Sequence, residues 1–207
     1  MILPSRTRRG RVRPLAEIAG LTLAMFALGV PNSASAAPPT CFGNKATIVG
    51  SAGSERIEGT AGPDVIVGLD GRQIISGGDG DDRICGKAGD DIIDGGAGDD
   101  RMSGGSGDDA ITGVDGNDLL LGGPGADDLN FGDEENGDDE VLGGRGDDNL
   151  HAGQGEDKLF GNSGDDFLGA GEVDPPLIDL FADGRGTDTC IAEPEDEVRS
   201  CEILELP

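Results

Sequence analysis

The sequence predicts an all-β solenoid in which short strands and glycine-rich turns alternate and stack. A nine-residue period runs from Gly50 to Leu168 and gives thirteen units, numbered so that Gly-Gly-x-Gly-x-Asp occupies positions one to six. Position four is glycine in all thirteen units, and position eight is apolar in all of them. This regularity indicates periodic structure and argues against acidic low-complexity sequence.

The nine positions of a unit divide into a turn and a strand. Glycines at positions one, two and four permit the positive φ angles and the close backbone approach that a tight turn needs. Positions seven to nine alternate outward, inward and outward, so one apolar side chain per unit points into a shared interior. The predicted interior residues are Ile57, Ile66, Ile75, Ile84, Ile93, Met102, Ile111, Leu120, Leu129, Val141, Leu150, Leu159 and Leu168.

The composition favours a cation as the partner of the chain. The 207 residues include 42 acidic and 15 basic side chains, which give a formal net charge of -27. Apolar residues make up 35% of the chain and Trp and Tyr are absent, so a conventional aromatic-centred core is not expected. A chain this acidic should repel nucleic acid and anionic membrane surfaces and attract cations. We therefore expect no nucleic-acid partner.

Aspartate recurs at position six of the units. Stacking the units would place these carboxylates in rows, with about 4.8 Å between successive carboxylates of a row. At this distance their like charges repel. Ca2+ would offset the repulsion, because it accepts six to eight oxygen ligands and combines carboxylates with exposed carbonyl groups. Magnesium demands a small octahedron and zinc prefers His and Cys, so several calcium ions are the predicted cofactor. The candidate metal ligands are Asp64, Asp82, Asp91, Asp100, Asp109, Asp118, Asp127, Asp139, Asp148, Asp157 and Asp166.

Two units show a specific family resemblance. Residues 77–85 read GGDGDDRIC and residues 95–103 read GGAGDDRMS. These segments resemble haemolysin-type calcium-binding (RTX) nonapeptides, and the resemblance covers about 120 residues. It implies a right-handed parallel β-roll with two repeats in each coil. It also implies that each calcium ion lies between turns that are two repeats apart.

A few units depart from the repeat pattern. Glu55 and Gln73 replace the aspartate at position six, and Glu134 and Ala152 replace the first glycine. The insertion Phe131-Gly132-Asp133 interrupts the nine-residue period. We expect weaker or absent calcium sites at these places.

The first 36 residues have the features of a secretory signal peptide. A basic start is followed by the apolar run Ile18–Val30 and by Ala34-Ser35-Ala36, a small-residue cleavage site. The apolar run is shorter than the roughly 17 to 25 residues of a membrane span, and no later stretch is apolar enough to serve as one. We therefore expect a secreted, extracellular protein without a membrane span. The pair Arg8-Arg9 leaves a twin-arginine export route open.

The four cysteines predict two disulfides in an oxidising compartment. With two repeats per coil, as the resemblance implies, the ends of the roll lie about 30 Å apart, which favours pairing within each end. We therefore predict that Cys41 pairs with Cys85 and that Cys190 pairs with Cys201. A zinc site built from all four thiolates is the alternative, although no C-x-x-C spacing supports it.

The predicted organisation has four parts. Residues 1–36 form the signal peptide, 37–49 an N-terminal cap, 50–169 the roll of thirteen repeats, and 170–207 a C-terminal cap. Caps are expected because an open solenoid exposes its last strands and its interior. With both predicted disulfides in place, the predicted fold is a right-handed parallel β-roll with disulfide-stapled terminal caps.

The predicted function is that of a secreted calcium-binding repeat protein whose roll folds when calcium binds between stacked turns. The alternative is a calcium-dependent adhesive or cell-surface module with a polysaccharide or cell-surface partner. We do not expect an enzyme, because about 50 residues outside the roll and the predicted leader leave no room for a catalytic domain. No nucleophile or phosphate-binding motif is found in the sequence either.

Overall fold

The computed structural model describes residues 37–130, 137–151, 153–169, 180–191, 197–199, 201 and 203–205. Residues Pro38–Pro207 form one compact unit, distinct from Met1–Ala37. The secondary structure of the described ranges consists of strands, without a helix. Within those ranges there is accordingly no helix of the length and apolarity needed to cross a membrane. The predicted signal peptide, the insertion, Glu134 and Ala152 lie outside the described residues.

Two parallel nine-stranded sheets form a solenoid. Successive strands of the chain alternate between the sheets, so each coil contains one strand of each. Sheet one contains β4 (Glu55–Glu58), β6 (Gln73–Asp79), β8 (Ile92–Ala97), β10 (Ala110–Asp115), β12 (Asp128–Asn130), β14 (Asn149–His151), β16 (Phe167–Gly169), β18 (Thr189–Ile191) and β20 (Ile203–Glu205). Sheet two contains β3 (Ile48–Val49), β5 (Val65–Asp70), β7 (Arg83–Ala88), β9 (Arg101–Ser106), β11 (Leu119–Pro124), β13 (Glu140–Arg145), β15 (Lys158–Ser163), β17 (Leu180–Arg185) and β19 (Glu197–Arg199).

The coil length is 18 residues through most of the solenoid. Ile84 pairs with Met102 in the neighbouring parallel strand, which is an offset of two nonapeptides. The parallel solenoid that the resemblance implies is therefore confirmed. Across the insertion the pairing continues between Leu120 and Val141. The three additional residues therefore change the numbering but not the alignment of the units.

The interior consists of one column of apolar side chains from each sheet. All thirteen predicted interior residues are buried, with at most 6% of their surface exposed. They form a single cluster that extends to Cys190. Full burial of an aliphatic side chain contributes about 1.5 to 3 kcal/mol. Only one residue in nine contributes in this way, so few apolar side chains align the coils.

The turn is narrower than the sequence pattern indicates. Strand β9 covers positions seven to nine of one unit and positions one to three of the next, which leaves only positions four to six for the turn. Gly96 at position two and Gly98 at position four have positive φ angles of 107° and 131°. Gly95 at position one is needed for a different reason, since a Cβ there would lie 2.5 Å from Asp100 Oδ2. The expectation that the glycines at positions one and two belong to the turn was therefore wrong, because the strand includes them.

Both predicted disulfides are present, Cys41–Cys85 and Cys190–Cys201. They use all four cysteines of the chain, so the four-thiolate zinc site is excluded.

The predicted N-terminal cap contains a short antiparallel hairpin, β1 (Thr40–Cys41) and β2 (Asn44–Lys45). The hairpin packs on the outer face of sheet two, where Cys41, Val67 and Cys85 form a second buried cluster. The Arg101 guanidinium lies 5.5 Å from the centre of the Phe42 ring, on the same face. Cys41–Cys85 therefore ties the start of the described chain to the first coils.

At the other end, both sheets continue past the predicted boundary at residue 169. Strands β17 to β20 extend the two ladders as far as Glu205. Cys190 is fully buried next to Leu168, at position eight of a degenerate repeat unit that begins at Asp183. Residues 170–179, with which the predicted C-terminal cap begins, lie outside the described residues.

Gly96→Ala should destabilise the solenoid more than Gly43→Ala. Both glycines have positive φ angles, but a Cβ at Gly96 would collide with the Gly78 carbonyl oxygen, whereas nothing lies within 4 Å at Gly43. The φ angle alone costs a substituted residue about 1 to 2 kcal/mol, so Gly43→Ala measures that cost without a clash. Urea unfolding of the two variants in calcium provides the comparison, and equal losses of stability would contradict the close packing of the coils.

Candidate metal centre

The position-six aspartates form two rows, one along the turns that precede each sheet. Consecutive units feed alternate sheets, so consecutive aspartates belong to alternate rows. All eleven predicted ligands are buried, with 1 to 6% of their surface exposed. They are Asp64, Asp82, Asp91, Asp100, Asp109, Asp118, Asp127, Asp139, Asp148, Asp157 and Asp166.

A backbone hydrogen bond connects each aspartate of a row to the next. The Asp82 N–H donates to Oδ1 of Asp100 at 2.7 Å, one coil further along. Across the insertion, the Asp118 N–H donates to Oδ1 of Asp139 at 2.6 Å in the same manner. Successive carboxylates therefore face the same line of turns, and the insertion leaves the row intact.

The second carboxylate oxygen is generally left without a donor. Oδ2 is buried and accepts no hydrogen bond in Asp82, Asp91, Asp100, Asp109, Asp118, Asp127, Asp148 and Asp166. A buried polar atom without a partner costs about 1 to 3 kcal/mol, and more when the group is charged. Each such oxygen therefore favours a bound cation or a proton.

Burial raises the pKa of these carboxyl groups strongly. It raises the pKa to about 7 in Asp100, Asp109, Asp139 and Asp148, although a backbone N–H donated to each carboxylate works in the opposite direction. Neighbouring aspartates of the same row add to the increase, as Asp118 and Asp82 do for Asp100. The ionised form is thus disfavoured by desolvation first and by like charge second.

The pKa is raised to about 6, again mainly by burial, in the remaining strongly shifted members of the rows. These are Asp118, Asp127, Asp157 and Asp166. Burial also raises the pKa of Asp82 and Asp91. Without a cation, the rows are therefore held in an unfavourable state near neutral pH.

Backbone carbonyl groups provide further oxygen atoms beside the carboxylates. The position of a Cβ on Gly95 would be 2.5 Å from Asp100 Oδ2 and 2.7 Å from the carbonyl oxygen of Gly113. The missing side chain thus allows this carboxylate oxygen and this carbonyl oxygen to approach the same stretch of backbone. No group of three or more His, Cys, Asp or Glu side chains converges within the described ranges. A cation would accordingly need carbonyl ligands as well, which fits calcium and does not fit zinc.

Asp64 has a different environment from the other predicted ligands. Its Oδ2 accepts hydrogen bonds from the N–H and the hydroxyl of Thr60, both at 2.8 Å. Its Oδ1 accepts a third from the Thr47 hydroxyl at 3.1 Å. Both oxygens of Asp64 therefore have donors within the protein, which the repeat pattern does not reveal.

The two departures at position six also have their own hydrogen bonds. Glu55 accepts hydrogen bonds from the N–H and the hydroxyl of Ser51 in its own turn. Gln73 is fully buried, and its Nε2 donates to the carbonyl oxygen of Gly53 at 2.7 Å. Weaker or absent calcium sites at these two units remain a prediction.

Asp188 belongs to a row but was not among the predicted ligands. It is 99% buried, and its Oδ1 accepts the N–H of Asp166 at 2.8 Å. The signal was present in the sequence, because Cys190 occupies position eight of a degenerate unit and Asp188 stands two residues before it.

Comparison with protein-family models supports the repeat assignment. The model of the RTX calcium-binding nonapeptide repeat matches four times, at residues 49–84, 76–111, 103–134 and 135–168. These matches span more than half of the chain. A search of curated proteins found no match. With its period, its parallel coils and its aspartate rows, the chain belongs to the RTX calcium-binding nonapeptide repeat family.

Proposed function

We propose that this is a secreted calcium-binding protein whose right-handed β-roll folds when Ca2+ binds between stacked turns. The observation that carries the proposal is the row of buried Oδ2 atoms without donors. The predicted leader at residues 1–36 supports export, and the two disulfides support the assignment of stapled caps to the ends.

The proposed ligands are the position-six aspartates together with turn carbonyls. Oδ1 of Asp100 stays bound to the N–H of Asp82 and holds the two coils in register. Oδ2 of Asp100 is the atom available to a cation, because it is buried and has no donor. Bound calcium would supply the positive charge that offsets the like charges of a row.

Calcium would act mainly on the folding equilibrium. A ligand that binds only the folded chain stabilises it by its binding free energy at the prevailing concentration. Calcium-poor surroundings would then favour the unfolded chain, and the millimolar calcium found outside cells would favour the roll. Export would thereby determine where the protein folds.

Adhesion and the expected lack of enzymatic activity are separate predictions. Binding of the purified protein to cells or glycans, measured with and without calcium, tests the adhesive alternative. Screening for hydrolytic activity tests the second prediction.

Calcium should convert the protein from a loosely ordered chain into a β-rich roll. Circular dichroism during a calcium titration should show β structure increasing, and calorimetry should detect several bound ions. Magnesium in equal amount should have little effect, because it retains its waters and requires a smaller octahedral site. An EDTA-treated chain with full β content and unchanged resistance to proteolysis would refute calcium-dependent folding.

Asp109→Asn should change stability in opposite directions with and without calcium. Asparagine retains an Oδ1 acceptor for the Asp91 N–H, but it replaces the Oδ2 that lacks a donor and removes a buried charge. Burial raises the pKa of Asp109, and one pKa unit corresponds to about 1.4 kcal/mol, so we expect stabilisation by about 1 kcal/mol or more in EDTA. The calcium affinity should fall about tenfold or more.

The matched control is Asp108→Asn at the adjacent exposed position, where the side chain accepts the Ala126 N–H through Oδ1. This control should shift thermal unfolding little under either condition. If Asp109→Asn also destabilised the protein in EDTA, the buried charge would not be the cause of the calcium requirement.

The metal-free roll should become less stable as the pH rises. In the folded state the pKa is raised to about 6 for Asp118 and to about 7 for Asp100. The pKa of an aspartate in the unfolded chain is about 4, so protonation stabilises the folded state. This contribution is fully present below about pH 4 and is lost through about pH 6 to 7. The β content in EDTA, followed by circular dichroism, should therefore fall as the pH rises from about 5 to about 8. High salt should reduce the surface repulsion but leave this fall in place. An increase in β content with rising pH would contradict the assignment.

A further inference from the structure

At the beginning of the solenoid, a side chain donates hydrogen bonds to the backbone carbonyl groups of two stacked turns, which we call a turn pair. Gln73 stands at position six, where most units have aspartate. Its Nε2 donates to the Gly53 carbonyl oxygen at 2.7 Å and has longer contacts with those of Gly71 at 3.2 Å and Asp70 at 3.4 Å. Gly53 belongs to the unit that begins at Gly50, whereas Asp70 and Gly71 belong to the unit two repeats later. The amide group therefore lies between two stacked turns and contacts carbonyl oxygens of both.

An aspartate at this position could not make the same contacts. A carboxylate only accepts hydrogen bonds, whereas a primary amide carries two N–H donors of partial positive charge. Turns with aspartate thus combine carbonyl oxygens with a negative group, and a cation is required to hold them together. Gln73 removes that negative charge and supplies donors in its place.

Gln73 otherwise keeps its place in the row. Its backbone N–H donates to Oδ1 of Asp91 at 2.7 Å, as the aspartates of other turns do. Its Oε1 is buried without a donor, as Oδ2 is in Asp91. Gln73 therefore donates a hydrogen bond to the first turn. Like the aspartates of the later turns, it also has a buried oxygen that accepts no hydrogen bond.

We infer that the side-chain amide of Gln73 takes the place of a calcium ion between the turns that begin at Gly50 and Gly68. This turn pair is ordered without metal, and the calcium row begins beyond it. The inference rests on the proposed function for the other turns, because it defines where their calcium sites start.

The neighbouring contacts agree with a metal-independent first coil. In the other row, both oxygens of Asp64 accept hydrogen bonds, from Thr47 and Thr60. The Cys41–Cys85 disulfide and the cluster around Val67 lie on the same early coils. The N-terminal end thus has internal partners for the groups that calcium would bind elsewhere, and it can serve as a fixed end for the later coils.

Gln73→Glu tests this inference in the full chain with its disulfides intact. Glutamate preserves the length and one oxygen of the side chain but removes both N–H donors. In EDTA, hydrogen exchange followed by mass spectrometry should show β4 and β6 of the wild type exchanging about tenfold more slowly than β12 and β14. In Gln73→Glu most of that difference should disappear.

Gln154→Glu is the matched control, since it makes the same chemical change in a turn where the backbone carbonyl accepts the Gly137 N–H. Exchange of β4 and β6 in EDTA should be unchanged in this variant. Gln73→Asp should also lose the protection in EDTA but should regain it in calcium, which distinguishes loss of the donor from misfolding.

Two results would overturn the inference. One is equal exchange of β4 and β6 in the wild type and Gln73→Glu in EDTA, and the other is failure of calcium to restore protection in Gln73→Asp while it protects the later strands. If the wild type bound no calcium at all, the proposed function would fail. The comparison in EDTA would still determine whether Gln73 holds the first turn pair together.

Discussion

The structure depends on aspartates that are bound through one oxygen and lack a donor at the other. Oδ1 of Asp100 accepts the N–H of the preceding coil, so the carboxylate cannot move into solvent without loss of that alignment. Oδ2 is held in the turn beside Gly95, where burial and the neighbouring aspartates disfavour its charge. Register between coils and affinity for a cation therefore have the same cause. A chain that aligned its coils by other means would have no need of buried carboxylates.

The apolar interior and the turns have different effects on order. Interior side chains such as Ile84 and Met102 stack in register and determine which residues face inward. There is only one of them in each unit, and the turns contain most of the buried polar groups. The interior thus specifies how the coils align, whereas the turns decide whether alignment is favourable. Under the proposed function, this division explains how one sequence can specify its fold clearly and still depend on a ligand to populate it.

Sequence periodicity predicted those features that repeat with the unit. The interior column, the aspartate rows and the two disulfides depend on position within the repeat or on which coils are neighbours, and all are found in the structure. The hydrogen bond from Thr47 to Asp64 and the contacts of Gln73 depend on where individual side chains meet in space, and the pattern contains no such information. The extension of strands through position three is set by backbone pairing, which glycine-rich sequence does not indicate.

The alternation of units between two sheets has a consequence for how such a gene can change length. Two nonapeptides make one coil, so after duplication or deletion of a pair every later strand still belongs to its original sheet. Loss of a single repeat would transfer all later strands to the opposite sheet and exchange their outer surfaces. The offset between Leu120 and Val141 shows that smaller additions are accepted without such an exchange. Heritable variation in roll length should therefore occur in steps of whole coils, with short insertions tolerated between strands.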